Sequence, residues 1–202
     1  MRNAYVIVGI AGLIVFAGAA YAFNRSFTQP GDTVYTEAGT SNSMTTSTFT
    51  LTSSAFTDNA SIPPQFTCDG DRSVSPALSI TGVPEGTKSL ALIMDDPDVP
   101  KALHADGVFD HWVLFNIPAD TREIPEGGSV GVAGANGAGK NAYTGPCPPP
   151  QYEPSEHRYI FKLYALDSEL ALQAGASKAD VEKAMEGHII AETRLTGRYK
   201  RI

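Results

Sequence analysis

From residue 48 onward the apolar stretches of this chain are short and are punctuated by glycine and proline. Punctuation of that kind leaves little room for long helices and favours strands joined by turns. Thr48 to Ser53 alternates Phe49 and Leu51 with Thr and Ser, the pattern of a half-buried strand. Ala77 to Ile80 is a short strand ended by Gly82 and Pro84, and Ser89 to Met94 is an apolar run closed by Asp95-Asp96-Pro97. His111 to Ile117 is closed by Pro118, Arg158 to Leu166 alternates around Tyr159, Phe161 and Leu163, and Ile189 to Tyr199 reads as a last strand. One soluble helix is expected, with Ser177 as its cap, Asp180 three residues on and Gly187 at its end. Ser168 to Gln173 is a candidate for a second, short one. The expected class is mainly β, an antiparallel sandwich with one or two short helices.

The first residues follow a different rule. Ala4 to Phe23 is an uncharged apolar run, about the twenty residues that span a bilayer core as a helix. Arg2 precedes it and Arg25 follows it, which fits a cytoplasmic N-terminus and an exported remainder. Residues 1–23 are therefore expected to form a transmembrane anchor, the protein sitting single-pass in the cell membrane. The alternative is a signal peptide cleaved near Ala22, after the Ala20-Tyr21-Ala22 pattern, giving a secreted or periplasmic product. Residues 24–47, rich in Ser, Thr, Gly and Asn, read as a flexible linker, and residues 48–202 as the domain.

Charge narrows the function. The chain carries 15 Lys and Arg against 22 Asp and Glu, a net charge of −7. Arg2 and Arg25 balance Asp32 and Glu37, so that excess belongs to the domain. An acidic domain is not expected to bind nucleic acid, which needs a basic surface. Gly134 to Lys140 fits the spacing of a phosphate-binding G-x-x-x-x-G-K loop. Asn141 stands where that loop needs Ser or Thr, and Gly145-Pro146 stops any following helix, so a surface loop is expected instead. No metal ligands are closely spaced, and neither catalysis nor a metal or other cofactor is expected.

The informative residues lie at strand ends. They are Asp96-Pro97-Asp98, His111-Trp112, Tyr143-Thr-Gly-Pro-Cys-Pro-Pro-Pro150 and His157-Arg158-Tyr159. Loops at one end of a sandwich cluster, so two histidines, a carboxylate and a Gly-Pro turn can converge on one mouth. An imidazole N–H donates to an anion, a neighbouring carboxylate holds the ring and raises its pKa, and a glycine turn offers backbone amides. Tyr159 adds a hydroxyl and an aromatic wall. Asp98 and Arg158 are read as turn and rim residues, Trp112 as core, and His104 and His188 as surface or packing residues.

In this order the four motifs resemble the phosphatidylethanolamine-binding protein family, and most closely its bacterial, Raf-kinase-inhibitor-like branch. Thr67-Cys68-Asp69-Gly70, Ser75-Pro76, Gly187-His188 and Gly197-Arg198-Tyr199 add to the resemblance, which covers residues 48–202. The resemblance implies a Greek-key-like β-sandwich with a small anion-binding cavity. It assigns ligand binding to Asp96, His111, Gly145, Pro148, His157 and Tyr159, with Cys147 at the pocket edge. The implied ligand is a small anion or phosphorylated head group. A protein partner at the pocket rim, as for an inhibitor of an envelope hydrolase, is the second reading, and a weak hydrolase the third. Lys101 to Gly107 and Gln151 to Glu156 depart from the family pattern. In an exported domain Cys68 and Cys147 can form a disulfide, the alternative being two buried thiols.

Overall fold

The computed structural model describes residues 48–72 and 74–201. The expected anchor or signal segment and the linker lie outside the described residues. Nothing described is a helix long and apolar enough to cross a membrane.

The strands are β1 (Thr50–Ser53), β2 (Leu78–Thr81), β3 (Ser89–Asp96), β4 (Phe109–Pro118), β5 (Glu123–Ile124), β6 (Val132–Ala133), β7 (Glu156–Leu166) and β8 (Ile189–Lys200). One α-helix, α1 (Lys178–Met185), lies between β7 and β8. A small sheet has the order β1-β2-β5 and a larger one the order β6-β4-β3-β7-β8. Every pairing between named strands is antiparallel. β5 and β6 have two residues each, too few to show a period in sequence.

Alternation along β3 sends Leu90, Leu92 and Met94 toward the small sheet, where they pack with Leu51, Ile80, Trp112, Phe161 and Leu163. Ala91 and Ile93 point the other way, onto Val181 and Met185 of α1. β3 is thus covered on both faces and has no exposed residue, which explains why its sequence is a continuous apolar run rather than an alternating one. The described residues form three layers: small sheet, large sheet, helix. The α1 cap is a full capping box. The Ser177 hydroxyl accepts from the Asp180 N–H, and the Asp180 carboxylate accepts from the Ser177 N–H. At the other end Gly187 takes a φ of 79°, a left-handed conformation that favours glycine.

Ser168 to Gln173 does not form the second helix. Its backbone is already engaged: the Asn116 side chain donates to the Leu170 carbonyl at 2.9 Å and accepts from the Leu170 N–H at 2.7 Å. The Ser89 hydroxyl also donates to the Ser168 carbonyl. The short helix that does form is a single 3-10 turn at Pro64–Phe66. The Gly134 to Lys140 segment is a turn closed by Asn136, whose Oδ1 accepts from the amides of Ala138 and Lys140.

The open edge of β8 is shielded by residues 59–62. The Ile62 N–H donates to the Arg198 carbonyl and the Arg198 N–H to the Ala60 carbonyl. Gly197 permits this approach, because a Cβ there would lie 2.4 Å from the Ile62 side chain.

Candidate functional site

Three adjacent strands of the large sheet end together, and each delivers one residue of the expected constellation. β3 ends in Asp96, β4 begins near His111 and β7 begins near His157. The Asp-Pro-Asp turn after β3 is held by its own side chains. Asp96 Oδ1 accepts from the Asp98 N–H at 2.9 Å, an Asx turn. Its other oxygen, Oδ2, accepts from His157 Nδ1 at 2.6 Å. Asp98 forms a two-point pair with Arg158, at 2.7 and 2.9 Å, and accepts from the Arg158 N–H as well. That pairing locks the turn to the start of β7 and engages the Arg158 guanidinium outside the cavity lining.

His111 reaches the same face by a β-bulge. Met94 pairs with Trp112 but Asp95 pairs with Asp110, so His111 is the extra residue of β4. Without the shift, alternation places His111 with Val113, on the helix side. With it, the His111 ring meets the Tyr159 ring edge-on at 5.1 Å. His111 Nδ1 donates to the Thr144 carbonyl at 2.7 Å, while the Thr144 N–H donates to the His111 carbonyl. The Tyr143–Pro146 segment is thereby pinned to β4. Tyr143 reinforces it by donating to the Phe66 carbonyl at 2.8 Å.

These residues enclose a cavity of about 380 Å³, lined by Asp96, His111, Gly145, Cys147, Pro148 and His157 among others. Its remaining walls are Arg72, Val99, Leu103, His104, Phe109, Thr144 and Pro149. Five of the six expected site residues therefore share one cavity. Tyr159 is the exception. It is fully buried behind the histidines, stacked against His157 at 6.5 Å, and supports the site rather than lining it. Gly145 lines the wall, but its amide donates to the Arg72 carbonyl at 3.2 Å and is not offered to a ligand. Its lack of a Cβ serves packing, since a Cβ would lie 2.7 Å from the Phe66 oxygen.

Two wall residues depart from the sequence reading. His104 lines the cavity, edge-on to Phe109 at 5.4 Å, instead of being only a surface or packing residue. Arg72 places a guanidinium at the mouth, 3.6 Å from Cys147 Sγ. The signal for Arg72 was its position four residues after Cys68, because Cys68 and Cys147 form a disulfide with a Cα–Cα distance of 5.2 Å. That bond ties the 67–72 loop to the 145–149 loop. His188 is exposed and pairs with Asp167 at the surface.

The two site histidines are driven apart in charge. Burial works against a charged His157, but the hydrogen bond and charge of Asp96, with Asp98 behind it, raise its pKa above the ordinary value. Burial dominates at His111 and lowers its pKa, although the Thr144 carbonyl and the carboxylates of Asp96, Asp95 and Asp110 pull the other way. Burial also pushes the Tyr159 hydroxyl up, with the charge of Asp96 adding to it. His157 Nε2 and the Tyr159 hydroxyl are buried without a hydrogen-bond partner among the described residues. A buried donor in that state is costly unless a ligand or water satisfies it. Among the described residues no cluster of His, Cys, Asp and Glu has the arrangement of a metal centre.

Comparison with known proteins gives one consistent result. Residues 52–200 match the family model for phosphatidylethanolamine-binding protein. The UPF0098 protein of Methanothermobacter thermautotrophicus is 48% identical over 158 residues, covering 75% of this chain and 98% of that one. The PH1269 protein of Pyrococcus horikoshii, also UPF0098, is 45% identical over 158 residues, 74% of this chain and 75% of its own. Among solved structures, a phosphatidylethanolamine-binding protein homologue from Chlamydia trachomatis superposes with a TM-score of 0.72 at 41% identity, covering 76% of this chain and 98% of its own. Escherichia coli YbcL, described as a member of the mammalian PEBP family, gives 0.68 at 30% identity, covering 76% and 99%. The matched region spans 98% of the Methanothermobacter protein and 98% of the Chlamydia structure.

Proposed function

Because this chain belongs to the phosphatidylethanolamine-binding protein family, we propose that it is a binding protein whose cavity holds a small anion or phosphorylated head group without turning it over. The observation that carries this reading is His157 Nε2, a buried nitrogen without a well-formed hydrogen bond among the described residues, on a ring whose other nitrogen is held by Asp96 at 2.6 Å. Asp96 favours the imidazolium, and an imidazolium donates from both nitrogens. One N–H is taken by Asp96, so the other is directed at a ligand oxygen. Arg72 adds positive charge at the mouth. Val99, Leu103, Phe109, Pro148 and Pro149 supply an apolar lip for an organic substituent.

The placement we propose is outside the cytoplasm, the domain being tethered by residues 4–23 or released by cleavage near Ala22. Support comes from the uncharged apolar run and from the Cys68–Cys147 disulfide, a bond that persists in oxidising compartments. With a net charge of −7, the domain is repelled by anionic lipid surfaces, and the tether does the localising.

The test is a titration of residues 48–202 with phosphate, phosphoethanolamine and acetate, followed through the histidine ring signals by NMR. Saturable shifts at His157 and His111 are expected, and His157→Ala is expected to abolish them. Signals that do not move with any of the three would overturn the reading.

A further inference from the structure

We infer that Cys147 is a thiol-exchange site: with the Cys68–Cys147 bond open, its sulfur is the nucleophile that takes up a small-molecule disulfide, and Cys68 is the partner that releases the adduct. The inference concerns the covalent chemistry of the cavity mouth. It stands or falls independently of the ligand that the cavity holds.

The two sulfurs differ in charge, position and backbone. An Arg72 guanidinium N–H donates to Cys147 Sγ at 3.6 Å. A guanidinium stays protonated at any pH a folded protein tolerates, so it favours the thiolate over the thiol at that sulfur. Cys68 is followed directly by Asp69, whose carboxylate accepts from the Tyr199 hydroxyl and from Arg201. Cys147 stands on the cavity wall, whereas Cys68 is not among the residues that line it. Pro146 and Pro148 flank Cys147. A proline restricts both its own backbone and that of the residue before it, so Cys147 has little freedom to leave its place when the sulfur bond opens.

The neighbouring groups support the same asymmetry. The cavity wall also carries Asp96, His157, His111 and His104. Asp96 is engaged by His157 and by the Asp98 amide, so the charged side chain in contact with the Cys147 sulfur is Arg72. Two backbone bonds keep the loops adjacent without the disulfide: Cys68 N–H to the Pro146 carbonyl at 2.9 Å, and Gly145 N–H to the Arg72 carbonyl at 3.2 Å. Arg72 therefore still faces Cys147 in the reduced chain.

The chemistry is two displacements. The Cys147 thiolate attacks one sulfur of a small disulfide, a bond forms between the two sulfurs, and the other half of the reagent leaves as a thiolate with the electron pair. Cys68, deprotonated, then attacks Cys147 Sγ, restores the internal bond and expels the second small thiolate. The two protein thiols are oxidised, and the small disulfide is reduced to two thiols. Between the steps the small thiol is tethered to the wall that bears His111 and His157, and it occupies the mouth.

The experiment uses the full chain in detergent, which has two cysteines. The chain is reduced, freed of reductant and treated at pH 6.5 with less iodoacetamide than thiol, and the label is mapped by peptide mass. Cys147 is expected to react roughly tenfold faster than Cys68. In urea the two should react alike. Arg72→Gln should remove most of the difference and move the midpoint of the Cys147 rate–pH profile upward, while Arg72→Lys should retain the difference. Cys68→Ser, treated with glutathione disulfide, should hold one mixed disulfide until reductant is added, and Cys147→Ser should form its adduct roughly tenfold more slowly. Since either cysteine variant can misfold, the labelling of the unaltered chain decides. Equal rates in the folded chain, a faster Cys68, a preference that survives urea, or an Arg72→Gln profile identical to the original would each overturn the inference.

Discussion

Asp96 commits both of its oxygens inside the protein, one to the turn it begins and one to His157. The residue thereby positions the histidine while standing on the cavity wall. Asp96→Asn should lower the His157 pKa and weaken anion binding at pH 7 by roughly tenfold or more, the size of a hydrogen bond to a charged group. Ring-proton titration and isothermal calorimetry measure the two effects. The same pair of histidines sets a pH signature for stability. A raised pKa at His157 stabilises fully below the unfolded value near 6.5, and that contribution is lost as pH rises through the native value. A lowered pKa at His111 has the opposite sign: below about 6.5 the unfolded chain takes up a proton that the native ring resists. Their joint contribution peaks near 6.5. Urea midpoints between pH 5 and 8 should show Asp96→Asn flattening the alkaline flank and His111→Gln the acid flank. Unchanged flanks in both variants would contradict the assignment of charge. In the sequence, the carboxylate and both histidines were legible because each sits beside a strand boundary marked by proline or by an apolar run. Arg72 and His104 were not, since their place depends on a disulfide and on a loop whose path no local pattern encodes.

β4 is the element on which the site depends most, and it departs from simple alternation twice. One bulge turns His111 toward Tyr159. The other lies around Asn116, whose φ of 50° is left-handed. There the side-chain amide acts as a strand partner for Leu170. Asn116→Ala loses both hydrogen bonds and places an alanine in a strained conformation. The expected cost is about 3–4 kcal/mol, from roughly 1 kcal/mol for each of the two bonds and 1–2 for the backbone. Asn116→Gly loses the same bonds without the backbone strain and should lie measurably closer to the original protein in urea denaturation. An alanine variant as stable as the glycine variant would remove the backbone part of this account. The same bulge explains why the Ser168 to Gln173 helix, plausible on composition, does not form: its backbone is held extended by a side chain some fifty residues away in sequence. β3, β7, β8 and α1 were readable because their patterns are long enough to repeat. β5 and β6, with two residues each, exist only through the strands they pair with. The bulges in β4 are register events between strands, and a single run such as HWVLFNI carries no sign of them.

Across the whole molecule the Cys68–Cys147 bond joins loops 79 residues apart in sequence, and both loops contribute to the cavity mouth through Arg72 and Pro148. Stability and binding are thus tied to one covalent link. On a loop-entropy account, closing a loop of this length stabilises by roughly 4 kcal/mol, so reduction should lower the urea midpoint accordingly. Reduction should also weaken anion binding, because the Arg72 loop is then held to its neighbour only by hydrogen bonds such as Gly145 N–H to the Arg72 carbonyl and Cys68 N–H to the Pro146 carbonyl. The compartment decides whether the link exists in the cell, which connects the fold to the apolar run at residues 4–23. Trapping thiols with an alkylating agent in intact cells tests that connection. In the full chain both cysteines should resist alkylation and the protein should fractionate with membranes, or be found in the periplasm or medium if cleavage occurs near Ala22. A chain starting after residue 23 should remain in the cytoplasm with both thiols alkylated, and should bind phosphate more weakly until it is oxidised. Full alkylation of the complete chain would place the domain in a reducing compartment and sever the proposed link between export and a working cavity.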